Sequence, residues 1–191
     1  MRKVLASLKP YYYYLVGEGI KKIEVRKDMP KASDWNKEVL FYMSKDVKSF
    51  AKIPKEFQEK YRKHFGKVGL KFICDKVEKF IVGGLLSDDI EKPACLSYTE
   101  MINYFYKPEE LDGNTAKFGY AWHISDLKIY DKPKELSEFR PICKFEGKDA
   151  ICALFCPNWK YDGGLFFECT RKVTRPPQSW CYVEELCKAQ N

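Results

Sequence analysis

From Lys22 to Lys27 apolar and charged residues alternate: Ile23 and Val25 point one way, and Lys22, Glu24 and Arg26 the other. That is the period of two that an extended backbone imposes on its side chains, so the segment predicts a strand with a charged face. Ahead of it VLASL, residues 4–8, alternates loosely and stops at Lys9-Pro10, which predicts a short buried strand ended by the proline. Pro10 suits the first turn of a helix, where its missing N–H would have had no partner. PYYYYLV therefore predicts a brief helix, closed at Gly17 or Gly19, either of which can take the positive φ of a helix C-terminus.

WNKEVLFYMS, residues 35–44, predicts another strand, and the lysine-rich stretch to Phe65 predicts turn and helix. KVGLKFICDKVEKFIV, residues 67–82, alternates β-branched and aromatic residues up to Gly83-Gly84 and reads as one long strand or hairpin arm. Ser97 with Glu100 three places later is a capping box opening a helix over 97–107. KFGYAWHISDLKIY, 117–130, predicts a strand, and PKELSEF a helix on the spacing of Leu136 and Phe139. The strand pattern lapses over 140–175 and resumes in RPPQSWCYVEEL, with Trp180 and Tyr182 on one face. No βαβ repeat appears, so the expected class is α+β, a mixed β-barrel with flanking helices rather than a doubly wound sheet. The expected organisation is a barrel over 1–139, an insertion over 140–175 and a closing strand and tail over 176–191 of the same domain.

At 191 residues the chain is long enough to bury a core of its own. A formal charge of +7 favours polyanionic partners without requiring them. The apolar run from Val4 to Leu8 is too short for a secretory leader, and no window approaches the ~18 apolar residues of a membrane span. The expectation is a soluble, cytoplasmic protein with no membrane partner. Its eight cysteines then read as thiols or metal ligands before disulfides, and six of them fall between Cys143 and Cys187. Cys143, Cys152, Cys156 and Cys169 can supply four thiolates to a structural zinc, or stand as independent thiols; only Cys152 and Cys156 have the spacing of a ligand pair.

GIKKIEVR places Gly19, Lys21, Glu24 and Arg26 in the pattern glycine, any residue, lysine, two of any kind, glutamate, any residue, arginine. In this the chain resembles the ASCH domains of the PUA-like superfamily, and LASLKPYYYYL, FYMS, HISDLKIYDKPKELSEF and RPPQSWCYVEE are similar to other parts of the family's longer bacterial and phage-borne members. The resemblance is weakest over 140–175. It implies a PUA-like barrel with a cleft beside the signature strand that takes RNA, single-stranded nucleic acid or a modified nucleotide. The family also includes a hydrolase of acetylated cytidine and a described ribonuclease, so a hydrolase on the same cleft is the alternative.

The residues themselves allow two readings. Glu24 and Arg26, two apart on a strand, share a face, while Lys21 must reach over from the turn after Gly19. Arg26 suits a fork onto phosphate or a base edge, and Glu24 can accept from an exocyclic amine. The same residues equally make an ion-pair cluster on an exposed edge strand, worth little to stability. Lys9, Tyr11, Tyr42, His123, Ser179 and Trp180 complete the candidate ligand-binding set. If the protein is an enzyme, Lys21, Glu24 and Ser44 are the candidate catalytic residues. The acetylcytidine-cleaving member has threonine where Glu24 stands, and a carboxylate is a poor nucleophile toward an amide. Lys21 would act as a base only if burial or a like charge lowered its pKa.

Overall fold

The strand β1 (Lys3–Leu8) is covered on both faces, one wholly apolar and the other flanking Leu5 with the partly buried Lys3 and Ser7. Val4, Ala6 and Leu8 enter one core, and Leu5 enters another. Its parallel neighbour β3 (Lys37–Met43) divides in the same way, with Val39, Phe41 and Met43 on the first side and Leu40 and Tyr42 on the second. The computed structural model describes residues 2–30, 37–82, 88–110, 116–142, 159–161 and 167–186.

Between these two strands lie α1 (Pro10–Gly17) and β2 (Ile23–Arg26), as the sequence pattern predicts. After β3 come α2 (Val47–Phe50), α3 (Lys55–Arg62), β4 (Val68–Cys74) and β5 (Val77–Val82). Then follow α4 (Asp88–Ala94), α5 (Tyr98–Phe105), β6 (Lys117–His123) and β7 (Ser125–Lys134). Ser97 caps α5 through the Glu100 backbone N–H, and Glu100 caps in return, completing the expected capping box. The described chain closes with β8 (Phe139–Pro141), β9 (Trp159–Tyr161), β10 (Phe167–Cys169) and β11 (Trp180–Glu185).

The class is α+β. Among the described residues the strands form a six-stranded sheet in the order β7-β4-β3-β1-β11-β8, a three-stranded sheet β2-β6-β5 and the small hairpin β9-β10. Among the described residues no continuous ladder closes these sheets into a barrel. The two long alternating runs are each two strands in different sheets. Residues 67–82 leave the large sheet after Cys74 and enter the small one at Val77. Residues 117–130 return to the large sheet between His123 and Ser125, with Asp126 just beyond at φ 44°. The period of two runs through both crossings, so hydrophobic pattern alone does not mark them.

PKELSEF also departs from its expected helix. β7 extends to Lys134, and only Leu136–Glu138 makes a 3-10 turn. Phe139 is fully buried as the first residue of β8, which pairs with β11. The ends of the 140–175 stretch join the same body: Arg140 and Pro141 pair with Glu184 and Val183, and buried Val173 donates its N–H to the Phe139 carbonyl at 2.8 Å. A third core, between the small sheet and helices α4 and α5, holds Ile23, Val25, Val82, Ala94, Met101, Phe105 and Ala121. Among the described residues no helix is long and apolar enough to cross a membrane.

Candidate functional site

Helix α1 ends in a tight turn in which the N–H groups of Ile20 and Lys21 both donate to the Leu15 carbonyl, at 2.8 and 2.9 Å. Gly19 takes φ +67° there, a conformation that side-chain-bearing residues rarely adopt. The turn sends Lys21 inward. Its Nζ donates to the Ala94 carbonyl at the end of α4 at 2.5 Å and lies 3.4 Å from Glu24 Oε2. Glu24 Oε1 lies 2.9 Å from Arg26 Nε, but that N–H is not aligned with it, so the contact is an ion pair rather than a directed hydrogen bond. The two outer nitrogens of Arg26 are engaged across the gap between sheets: Nη1 donates to the Ser179 carbonyl at 3.0 Å and Nη2 to the Ser7 carbonyl at 2.7 Å.

This is not an exposed ion-pair cluster. Lys21, Glu24 and Arg26 are 2%, 5% and 4% exposed. Two cations flank one carboxylate, so the formal charges leave one positive charge in excess below the surface. Burial pushes the Lys21 pKa below that of an ordinary lysine, with Glu24 opposing the fall. Holding such a cluster out of water costs stability unless each charge keeps its partners.

Aromatic rings surround the buried charges. The Tyr12 ring lies 5.4 Å from Lys21 Nζ, and its hydroxyl donates to Glu100 Oε1 at 3.3 Å. Burial first, then the Glu100 and Glu24 carboxylates, push the Tyr12 phenol up to about 12. Tyr104, 40% exposed on α5, is raised by burial, with Arg26 opposing and Glu24 and Asp28 adding to the rise. Trp180 donates from Nε1 to Asp28 Oδ1 at 2.7 Å, and the Ser179 hydroxyl reaches the same oxygen at 3.3 Å. Behind them Trp122, directly across from Glu24 in the β2–β6 register, is fully buried, and its Nε1 has no hydrogen-bond partner among the described residues.

The structure therefore gathers Lys21, Glu24, Arg26, Ser179 and Trp180 around one place. Lys9 is exposed at the N-cap of α1. Tyr11 is half-buried, with its N–H on Ser49 Oγ, and the tyrosine beside Lys21 is Tyr12. Tyr42 lies in the second core, 3% exposed. His123 stands across from Ile23, on the face of the small sheet opposite Glu24, with Nε2 2.7 Å from Glu78 Oε2. Ser44 donates its N–H to the Leu8 carbonyl, and its buried Oγ has no partner among the described residues. Tyr12, Tyr104 and Asp28 were not legible as site residues: tyrosines cover every face of α1, and only tertiary packing selects one.

Cys143, Cys152 and Cys156 lie outside the described residues, and Cys169 is a free thiol at the end of β10. Among the described residues no group of His, Cys, Asp and Glu side chains is arranged to hold a metal.

The chain is similar to solved structures of ASCH from Zymomonas mobilis, at 18% identity and a TM-score of 0.49 over 97% of this chain and 88% of that one. A Tyr-to-Phe variant of the same protein gives 17% and 0.48, covering 97% and 91%. These neighbours are ASCH proteins. They carry the family name that GIKKIEVR suggests from sequence. No family profile matches the chain, and no curated protein matches it.

Proposed function

We propose that this chain is a nucleic-acid or nucleotide binding module that holds one base of RNA, or of a modified nucleotide, in the cleft over Lys21, Glu24 and Arg26. The observation that carries the reading is the buried triad with its excess cation, ringed by Tyr12, Tyr104 and Trp180. The inner cations suit an anionic or carbonyl oxygen, and Glu24, Asp28 and Glu100 offer acceptors to exocyclic amines. Partly exposed rings give a base its stacking surface. Arg26 acts mainly as a holder of this arrangement, because its fork is already engaged by Ser7 and Ser179. The sequence resemblance to ASCH domains points the same way.

Fluorescence anisotropy with labelled oligonucleotides and competition by cytidine monophosphate tests this. Tyr104→Ala, at an exposed position, is expected to weaken cytidine monophosphate binding roughly 5- to 100-fold, as loss of one stacking contact does. If the wild-type protein binds neither oligonucleotide nor mononucleotide at millimolar concentration, the reading is wrong.

A hydrolase on the same cleft, acting on acetylated cytidine or on RNA, is the second reading. Burial lowers the pKa of Lys21, 3.4 Å from Glu24, below that of an ordinary lysine, the direction a general base requires. Incubation of the protein with acetylcytidine and with labelled RNA, read by mass spectrometry, decides the matter. Turnover no faster than that of Lys21→Ala disposes of catalysis.

A further inference from the structure

The face of the small sheet that bears Glu24 continues beyond the cleft proposed above. Glu24 stands across from Trp122 and Trp122 from Val77; Arg26 across from Tyr120 and Tyr120 from Lys79; Phe118 across from Ile81. Residues so paired project from the same side, in successive rows. Exposure rises along β6: Trp122 is fully buried, Tyr120 half-buried and Phe118 46% exposed, with Ile81 beside it at 52%. The sheet's other face packs under α5, where Val25 and Ala121 meet Met101 and Phe105; on the Glu24 face Trp122 belongs to the first core and Tyr120 and Val77 pack against it, so Phe118 and Ile81 are the exposed apolar end of the row. A lone exposed aromatic would need no explanation. Here three aromatics occupy alternate positions of one strand, leading outward from Glu24, and a lysine sits over the last of them.

We propose that Phe118 and Tyr120 form a stacking track that carries the nucleotides next to the one in the cleft, so that the ligand is a single-stranded nucleic acid several nucleotides long. The proposal rests on the binding function above and extends it. Alternate residues on a strand rise about 6.8 Å, which suits unstacked bases splayed along a surface. Lys79 is exposed, and its Nζ lies 3.9 Å from the centre of the Phe118 ring, with no carboxylate paired to it among the described residues. An ammonium over an exposed ring is held more weakly than a stacked base. An arriving base therefore takes the ring while Lys79 swings to the neighbouring phosphate. That cation, in a chain of net charge +7, favours a phosphate-bearing strand over an apolar protein surface as the occupant.

The test compares labelled hexauridylate and hexathymidylate with cytidine monophosphate on the full chain. Phe118→Ala is expected to weaken both hexamers roughly 5- to 100-fold, and Phe118→Leu to weaken them similarly, because leucine keeps apolar bulk without a ring. Phe118→Tyr should restore binding. Lys79→Gln should lower the salt slope by about one. Cytidine monophosphate affinity should be the same in all four variants, which also reports that they fold. If Phe118→Ala leaves both hexamers unaffected while cytidine monophosphate still binds, the track is wrong and the cleft stands. Full binding by Phe118→Leu would show an apolar contact rather than stacking and would overturn the track as well. If wild-type protein binds no hexamer, the track fails; if it also fails to bind the mononucleotide, the cleft reading fails with it.

Discussion

Arg26 Nη2 donates to the carbonyl of Ser7 at 2.7 Å, and through this bond the edge of the small sheet is tied to the central strand of the large one. Its Nη1 ties the same edge to the Ser179 carbonyl, just before β11. Backbone ladders do not join the two sheets among the described residues, so one guanidinium satisfies two carbonyls at their junction. Lysine can keep the charge there but cannot span both carbonyls in a fixed fork. Arg26→Lys is expected to lose roughly 1–3 kcal/mol, the range for losing a hydrogen bond from a charged group to a part-buried carbonyl. Arg26→Ala, which also strips Glu24 of a counter-charge, should lose about 3–5 kcal/mol. Urea midpoints measure both. A midpoint for Arg26→Lys within error of wild type would mean the fork does not hold the junction.

Glu24 is the counter-charge that lets Lys21 stay buried. Its replacement by glutamine leaves an ammonium 2% exposed with the Ala94 carbonyl and the Tyr12 ring but, among the described residues, no carboxylate paired to it, and should cost about 3–5 kcal/mol at neutral pH. The pH dependence carries more information than the magnitude. Lys21 already has a folded pKa below the ordinary 10.5. Between that lowered value and 10.5 the unfolded chain binds more protons than the folded one, so this group's contribution to stability rises with pH across the window. Removing Glu24 lowers the folded value further and widens the window downward. Glu24→Gln should therefore regain stability on going from neutral to alkaline pH more steeply than wild type. A parallel pair of stability curves would contradict the pairing.

How far the sequence discloses this site depends on which forces decide each position. Period-two alternation and a proline suffice for β1, α1 and β2, because those elements are fixed by local sterics and by burial of one stripe. Gly19 forecasts the turn that delivers Lys21, since a positive φ has few occupants. Tyr12 against Tyr11 is another matter: the choice between neighbours on α1 is made by α5, whose Glu100 accepts from Tyr12. The same holds for the sheet crossings at 75–76 and 124, where the residues remain strand-like and only long-range pairing shows the switch. The burial of Arg26 was likewise illegible, because the carbonyls that receive its fork lie 19 and 153 residues away.

Acid should weaken the fold partly through Glu38 on β3. Its carboxylate accepts from Lys3 and Lys71, and those two ammonium groups push it down to about 2 from the ordinary 4.5. A carboxylate depressed in the folded state gives stability that is complete above pH 4.5 and lost as the pH falls toward 2. Glu38→Gln should flatten the stability curve in that range and leave the curve above pH 6 parallel to wild type. Urea titrations at half-unit pH steps would show this, and an unchanged acid limb would remove Glu38 from the account.

The Tyr13–His64 pair makes the sharpest packing prediction, because Gly69 on β4 leaves it room. Tyr13 and His64 are 0% and 1% exposed, with Tyr13 Oη 3.0 Å from His64 Nδ1. A Cβ at position 69 would overlap His64 Nδ1 and come within 2.6 Å of the Tyr13 hydroxyl. Both partners are core side chains with little freedom to retreat, so Gly69→Ala should destabilise by roughly 1–3 kcal/mol, the usual cost of overpacking. Burial, helped by Lys63 and Lys60, lowers the His64 pKa to about 4 from 6.5. The histidine is thus neutral when folded and binds a proton on unfolding between those values, so wild-type stability falls as pH drops from 6.5 toward 4. Tyr13→Phe removes the hydroxyl at the glycine but keeps the ring. In that background Gly69→Ala should cost less than in wild type, since one of the two overlapping groups is gone. Equal costs in the two backgrounds would mean that the tyrosine hydroxyl yields freely and that the overlap with His64 alone sets the cost at Gly69.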